Sequence, residues 1–261
     1  MISFFTRPGG AGIIRGKQIS EYIDGKLNPI DGYENDICIY IKCVPPKNYP
    51  KHTYVDVIED SAGLRWAKSH PDVGIIASSK SMYDHLRLTL KNKIVFIPQH
   101  HCNFEQWIRP LRDIKVAGII GNKAAFQYPL DKLRERLEYI NIELKTLIKH
   151  DFQSREEIVE FYKNIDIQLV WRPENDTPLR NPLKIINAMS YGIPTVAYPE
   201  ITFVEECSGL FSEATTIDKL IQEVKWLKDA LHWYYMYARV GVHKSVNYHI
   251  DTISKLYLQL K

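Results

Sequence analysis

Two basic side chains, Arg180 and Lys184, flank the predicted start of a short helix. Asn181 is typical of a helix N-cap, Pro182 of the first helical position, and Gly192 of the residue after the helix end. The N-terminal end of a helix is the positive end of its dipole, so cations are unfavourable there unless an anion is bound beside them. Phosphate binds readily at such ends. The segment therefore favours a bound phosphate, and two solvated side chains are the alternative.

Three side chains of this helix share one face, because Lys184, Asn187 and Tyr191 follow each other at helical spacing. A cation and an amide on one stripe suit a diphosphate and a ribose hydroxyl, and an ordinary solvent-exposed face is the alternative. Earlier in the chain, Asn122 and Lys123 follow the end of a predicted strand. The ammonium group of Lys123 could reach the same phosphate or simply be solvated.

A glycine-rich loop, residues 8–12, lies between the first predicted strand and the first predicted helix. Gly10 and Gly12 would let a ligand approach the backbone and leave helix N–H groups available to an anion, whereas a plain tight turn is the alternative. A dinucleotide-binding loop also needs an acid at the end of the second strand, to hold the ribose. That strand ends without one, which disfavours NAD.

Two residues that follow predicted strands, Asp60 and His100, are candidate general bases for an acceptor hydroxyl. Asp60 could instead cap the next helix. Adjacent side chains point in different directions, so at most one of His100 and His101 is expected to function. Glu174 and Asp176 are typical of a turn more than of a metal site. We therefore predict no metal centre.

The composition, 45% hydrophobic and 25% charged, is that of an ordinary globular protein. A net charge of +3 without a dense run of Lys and Arg argues against a nucleic-acid partner. Four cysteines without paired or metal-type spacing favour a reducing compartment. The chain shows neither a signal-peptide layout nor an apolar run of about 20 residues, so we expect a cytoplasmic location.

Aromatic and basic residues alternate near the C-terminal end, for example at Lys225, Trp226, Trp233 and Arg239. This mixture favours packing of the stretch against the first domain. Peripheral contact with a membrane surface is the alternative.

Strands and helices alternate along the whole chain, which predicts the α/β class with parallel sheets. The alternation stops near residues 98–112 and then restarts, which indicates two Rossmann-like domains joined by a hinge. We predict an N-terminal domain over 1–108, a C-terminal domain over 109–241, and a last helix over 242–261 that returns to the first domain. Two such sheets facing each other would place the carboxyl ends of their strands along one cleft.

Residues 181–197 resemble the donor-site signature of GT-B glycosyltransferases, near the group called family 4, in which a helix ends in the pattern (E/N)-A-M-x-x-G-x-P-x-V-A. The resemblance implies a short, divergent GT-B enzyme of polysaccharide biosynthesis. It also implies a nucleotide-diphosphate sugar bound mainly by the C-terminal half, a glycan or lipid-linked acceptor on the N-terminal half, and no metal or resident cofactor. Lys184, Arg180 and Lys123 would then neutralise the leaving diphosphate, and Asn187 would orient the nucleotide.

The chain departs from the family at two glutamates that are often found eight residues apart. Leu179 and Asn187 occupy those positions here. A catalytically degenerate nucleotide-sugar-binding or scaffold protein is therefore the alternative to a metal-independent glycosyltransferase. An NAD(P)-linked oxidoreductase is the third interpretation, against which the missing ribose acid argues.

Overall fold

A computed structural model describes residues 1–59, 61–110, 112–148 and 154–260. The chain divides into two compact units. Unit 1 comprises Met1–His100, Pro178–Asn181 and Tyr248–Lys261, and unit 2 comprises His101–Thr177 and Pro182–Asn247. The short segment 178–181 thus belongs to unit 1 although the chain on both sides of it belongs to unit 2.

Unit 1 is built on a parallel sheet of six strands, with the order β2-β1-β3-β4-β5-β6. The strands are β1 (Ile2–Thr6), β2 (Lys26–Leu27), β3 (Ile37–Ile41), β4 (Thr53–Val57), β5 (Gly74–Ala77) and β6 (Ile94–Phe96). Every residue of β4 and β5 is buried, as expected for parallel strands covered on both faces.

The helices of unit 1 begin with a π-helix, Gly12–Gln18, which continues into α1 (Ile19–Tyr22). The next two are α2 (Ala62–Ala67) and α3 (Lys80–Thr89). The hydroxyl of Ser61 accepts from the Leu64 N–H and starts α2, and Ser79 starts α3 in the same way through Met82.

Unit 2 contains a parallel sheet of five strands, with the order β11-β10-β9-β7-β8. The strands are β7 (Val116–Gly121), β8 (Glu143–Ile148), β9 (Ile167–Val170), β10 (Thr195–Ala197) and β11 (Ser212–Glu213). Its helices are α4 (Leu130–Tyr139), α5 (Arg155–Lys163), α6 (Leu183–Ser190), α7 (Ile201–Cys207), α8 (Ile217–Asp229) and α9 (Leu231–Ser245). The strand order reverses between β7 and β9, and ligands of open α/β sheets bind at the carboxyl ends beside such a reversal.

The chain ends with a helix of unit 1, α10 (Ile250–Leu258). The Tyr257 hydroxyl donates to Asp56 Oδ2 at 3.1 Å, and Arg15 Nε donates to the same oxygen at 2.7 Å. The ring of Tyr257 also packs edge-on against Phe4, with the centroids 5.7 Å apart. The last helix is therefore fixed to the π-helix and to β4 through buried polar groups.

The predicted α/β class and parallel sheets are confirmed, and the differences lie in element ends. The first predicted helix, after the glycine-rich loop, begins as a π-helix, and the last predicted helix, 242–261, is interrupted between Ser245 and Ile250. Sequence reasoning missed β2, β11 and α7, which are short. Among the described residues, no helix is both long and apolar enough to cross a membrane.

Candidate functional site

The reversal point of unit 2 is formed by the end of β7. Gly121 has a φ of +140°, a backbone conformation that favours glycine. A Cβ atom at this position would lie 2.6 Å from Lys184 Nζ and 2.7 Å from the Ala125 side chain. The backbone conformation and the close Ala125 side chain therefore both favour glycine, and the flexible end of Lys184 occupies the space beside it.

Lys184 lies in the first turn of α6, and its ammonium group donates a hydrogen bond to the Ile120 carbonyl at the end of β7. Gln168 Nε2 donates to the Lys184 carbonyl at 2.9 Å, which fixes this turn to β9. The first turn of α6 contains no acidic residue, and Pro182 at its N-cap makes no side-chain cap bond. A half-buried cation and the helix dipole thus act together at the reversal point, which is an arrangement suited to an anion.

The loop after Gly121 carries the other predicted residues of this region. Asn122 Oδ1 accepts from the Ala124 N–H at 3.0 Å and starts the short 3-10 turn Lys123–Ala125. The side chains of Asn122 and Lys123 are exposed. The structure therefore brings Asn122, Lys123 and Lys184 to the carboxyl end of one strand.

Arg180 belongs to unit 1, because residues 178–181 are part of that unit. Leu179 is partly buried against the apolar core of that unit, and the Ser81 hydroxyl donates to the Pro178 carbonyl at 3.3 Å. Arg180 Nη1 lies 4.0 Å from Glu59 Oε1. The two cations expected at one helix start therefore belong to different units.

The start of α6 also differs from the prediction. Its N-cap is Pro182, which has φ −86° and makes no side-chain cap bond, so the expected cap at Asn181 is wrong. Helix α6 therefore begins at Leu183, one residue later than predicted.

The polar face predicted for α6, formed by Lys184, Asn187 and Tyr191, is largely buried in the structure. Asn187 is buried at 7% exposure, and its Oδ1 accepts from the Cys102 N–H at 2.9 Å. Tyr191 is fully buried, stacks on Tyr162 with centroids 5.2 Å apart, and places its hydroxyl 3.6 Å from Cys102 Sγ. The alternative of a solvent-exposed face is wrong for these two side chains. That Asn187 orients a nucleotide stays a prediction, and its oxygen is already engaged.

Burial also raises the pKa of the two side chains that contact Tyr191, Cys102 and Tyr162. It raises the pKa of the Cys102 thiol to about 12, so the sulfur stays protonated at neutral pH. Burial raises the pKa of the Tyr162 hydroxyl as well. The interior of unit 2 below α6 is therefore neutral and hydrogen-bonded, and Lys184 is the cation of this helix.

After His100, described residues of the segment predicted as a hinge form hydrogen bonds within unit 2. Asn103 Nδ2 donates to the carbonyls of Ser190 and Trp107, both at 2.8 Å. The Arg109 N–H donates to the Tyr191 carbonyl at 2.9 Å. Residues 101–109 therefore cover the C-terminal end of α6, which explains why unit 2 begins before the predicted border at 109.

The glycine loop of unit 1 follows β1, which lies beside the strand-order reversal of that sheet. A Cβ atom on Gly12 would collide with the Arg7 carbonyl and the Thr6 hydroxyl, whereas one on Gly10 would meet no atom within 4 Å. The loop leads into the π-helix, an uncommon element that recurs at functional sites. Gly12 is thus required by packing, and Gly10 has open space beside it.

Of the two candidate bases, Asp60 lies outside the described residues. His100 is buried at 2% exposure, with Nε2 2.9 Å from the Ile14 carbonyl of the π-helix. A carbonyl can only accept, so Nε2 carries the proton, and the acceptor nitrogen of a neutral ring is Nδ1. A role of His100 as a base stays a prediction and would use Nδ1.

Sequence reasoning missed a buried ion pair at the carboxyl ends of β9 and β10. Arg172 Nε lies 2.8 Å from Glu200 Oε1, and Arg172 Nη2 lies 2.6 Å from Glu200 Oε2. This two-pronged geometry is typical of strong Arg–carboxylate pairs. The two residues lie 28 positions apart along the chain, so their spacing does not indicate the pair. The sequence signal that remains is that each residue follows closely after a strand.

Of the two acids considered as metal ligands, one lies in a turn and the other bonds to the start of α7. Asp176 Oδ1 accepts from the Ile201 N–H at 2.9 Å, and Glu174 lies in the 3-10 turn Pro173–Asn175. Within the described ranges, no group of three or more His, Cys, Asp or Glu residues is arranged to hold a metal ion.

No protein-family profile matches the chain, and no curated protein matches it in sequence. Several solved structures are similar in fold. HepE of Anabaena, in complex with UDP-glucose, has a TM-score of 0.64 at 12% identity, over 100% of this chain and 99% of that one. WaaG, a glycosyltransferase involved in lipopolysaccharide biosynthesis, has a TM-score of 0.63 at 7% identity and 98% coverage of both chains. The sucrose-phosphate synthase of Thermosynechococcus elongatus has a TM-score of 0.61 at 11% identity, over 100% and 99% of the two chains.

At such low identities these likenesses show the fold alone. The chain shares the α/β fold with two Rossmann-like units of solved GT-B glycosyltransferases, as the sequence resemblance implied.

Proposed function

We propose that this chain is a glycosyltransferase that moves a sugar from a nucleoside-diphosphate sugar to a hydroxyl of a glycan or lipid-linked acceptor. The observation that carries the proposal is the position of Lys184. Its ammonium group donates to the Ile120 carbonyl near the end of β7, beside Gly121 and at the start of α6. This is where an open α/β sheet binds its ligand, and its charge suits a diphosphate.

Lys184 would act on the leaving group. When the bond between the sugar and the diphosphate breaks, negative charge grows on the diphosphate oxygens. A fixed cation at that point stabilises the transition state more than the ground state. Lys123, exposed on the neighbouring loop, would add charge at the outer edge of the same site.

The donor would therefore be held by unit 2, and the acceptor by unit 1. The carboxyl end of β1, with Gly10, Gly12 and the π-helix, offers close backbone approach on the acceptor side. If the reaction inverts the sugar, His100 through Nδ1, or Asp60, would take the proton of the acceptor hydroxyl. A solved structure of similar fold was obtained with UDP-glucose, which makes UDP the first nucleotide to try.

We further propose membership near family 4, on the basis of the signature over residues 181–197. The reaction would need no metal and no resident cofactor, because Lys184 supplies positive charge where a metal would otherwise neutralise the diphosphate. EDTA should then leave activity unchanged. We also propose that the protein is cytoplasmic and contacts the membrane surface peripherally when its acceptor is lipid-linked.

One observation favours a second function, the binding of a nucleotide sugar without turnover. Leu179 and Asn187 replace the two glutamates common in the family, and the structure gives both a packing role. Neither side chain carries a carboxylate, so neither could act on the sugar as a glutamate would. The donor site would remain, while catalysis would be lost.

A thermal-shift screen with UDP, GDP, dTDP, CMP and NAD tests the proposal. We expect one nucleoside diphosphate to raise the unfolding temperature, since a ligand that binds only the folded state stabilises it. A response to NAD alone would contradict both functions. Hydrolysis of the matching nucleotide sugar then separates them, because the non-catalytic protein would bind the sugar nucleotide and leave it intact.

A further inference from the structure

A second group of cations lies at the opposite end of β7 from Gly121. A cavity of about 520 Å³ in unit 2 is lined there by Arg112, Lys115, Val116, Lys145, Asn164 and Asp166, together with Asp113. Val116 is the first residue of β7 and Gly121 the last. At about 3.3 Å per strand residue, roughly 16 Å separates this cavity from the Lys184 site.

The carboxylate of Asp166 is fully used inside the protein. Its Oδ1 accepts from Arg109 Nε at 2.8 Å and Arg112 Nε at 2.9 Å. Its Oδ2 accepts from the N–H groups of Lys115 and Val116, at 2.8 and 2.9 Å. Four hydrogen bonds fill the acceptor positions of a carboxylate, so Asp166 offers a ligand no further oxygen site.

The remaining charges of the cavity are mainly positive. Arg112 directs Nε and Nη2 to Asp166, and its side chain is 42% exposed. Lys145 is half-buried and Lys115 is 73% exposed. Asp113 is 78% exposed and lies 3.9 Å from Lys115. The cations Arg112, Lys115 and Lys145 thus line a cavity in which Asp113 is the exposed carboxylate. Arg109 and two backbone N–H groups also neutralise the charge of Asp166.

We propose that this cavity is a second anion site, which takes a phosphate monoester and is separate from the donor site. A phosphate monoester carries close to two negative charges at neutral pH and can accept several hydrogen bonds. The cavity lies within the size range of small-molecule sites and is much larger than a bare phosphate ion. A sugar phosphate therefore fits its charge and its volume better than inorganic phosphate does.

The test is a calorimetric titration of the full chain with glucose 6-phosphate, inorganic phosphate and glucose. We expect saturable binding of both phosphates, tighter for glucose 6-phosphate, and none of glucose. Lys145→Gln should weaken binding by about tenfold or more, the usual effect of one lost charged hydrogen bond. Lys132→Gln, on the exposed face of α4, is the matched control and should bind as the wild type does.

Lys184→Ala separates this inference from the proposed function. Phosphate binding that persists in Lys184→Ala and is weakened in Lys145→Gln supports a second site. Binding lost in Lys184→Ala, unchanged in Lys145→Gln, or absent from the wild type would overturn it. Binding of inorganic phosphate without preference for glucose 6-phosphate would overturn the assignment to a sugar phosphate.

Discussion

The side-chain oxygen of Asn187 lies 2.9 Å from the backbone nitrogen of Cys102 and accepts its hydrogen bond. Helix α6 is thereby tied to the segment that opens unit 2. Asn103 completes the connection by donating to the Ser190 carbonyl at the end of the same helix. A residue expected to meet the nucleotide thus holds the helix that presents Lys184.

Asn187→Ala should therefore lower stability more than ligand affinity. Removal of the amide leaves the buried Cys102 N–H without its acceptor, which costs about 1–3 kcal/mol in the free energy of unfolding. Urea denaturation measures this loss, and we expect the affinity for the nucleoside diphosphate to change little. Asn164→Ala is the control, because that exposed side chain bonds only within its own helix in the described structure. A large loss of affinity at unchanged stability would show that Asn187 contacts the ligand.

Gly121→Ala should damage the anion site directly. Alanine is strained at a φ of +140°, and its Cβ atom would lie 2.6 Å from Lys184 Nζ, so the lysine must move away from the end of β7. We expect a lower unfolding temperature and a loss of nucleotide stabilisation in the thermal-shift assay.

Gly209→Ala is the matched control in the same unit. Gly209 also has a positive φ, of +74°, but a Cβ atom added there would meet no atom within 4 Å. We expect a cost of about 1–2 kcal/mol from backbone strain alone, with nucleotide binding retained. Equal loss of binding in both variants would mean that Gly121 acts through stability only.

Asp166→Asn should reduce stability at neutral pH and flatten its dependence on acid. Burial alone would raise the pKa of Asp166, but the N–H of Lys115 and the guanidinium of Arg109 outweigh it and hold the pKa below its ordinary value. A carboxyl with a lowered pKa contributes stability above its unfolded pKa, near 4, and loses it as the pH falls through the folded pKa.

Urea denaturation between neutral pH and about pH 2 measures this effect, a range that covers the unfolded pKa near 4. The wild type should lose stability steeply in acid, and Asp166→Asn should start lower and lose less. Asp113→Asn, which changes a carboxylate that is 78% exposed, should follow the wild-type curve. Parallel curves for Asp166→Asn and the wild type would contradict the assignment.

The sequence was sufficient to predict the fold class because the parallel strands are apolar, β-branched runs such as Ile37–Ile41. It did not predict β11, Ser212–Glu213, since two polar residues become a strand only by pairing with β10. The π-helix was also missed, because its extra residue per turn leaves no mark in a short apolar pattern. Its Arg15 is drawn inward by Asp56, which lies 41 positions away.

The candidate site was predicted in part for a similar reason. The positions of Lys184, Asn122 and Lys123 at the end of β7 could be predicted because each follows a local signal, a helix start or a strand end. Their roles in binding stay predictions. Arg180 belongs to unit 1, which was not predicted because nothing local shows that Leu179 packs there. A role of Arg180 in binding the phosphate stays a prediction. The Arg172–Glu200 pair forms only when β9 and β10 lie side by side, so the spacing of the two residues along the chain does not predict it.

Lys184 is the cation on which binding of the donor diphosphate should depend. The decisive quantity is the dissociation constant of the nucleoside diphosphate selected by the thermal screen, measured by calorimetry for the wild type, Lys184→Ala and Lys132→Ala. We predict that Lys184→Ala binds at least about tenfold more weakly, since a charged hydrogen bond contributes about 1.5–3 kcal/mol, and that Lys132→Ala binds as the wild type does. An unchanged dissociation constant in folded Lys184→Ala would contradict this role of Lys184.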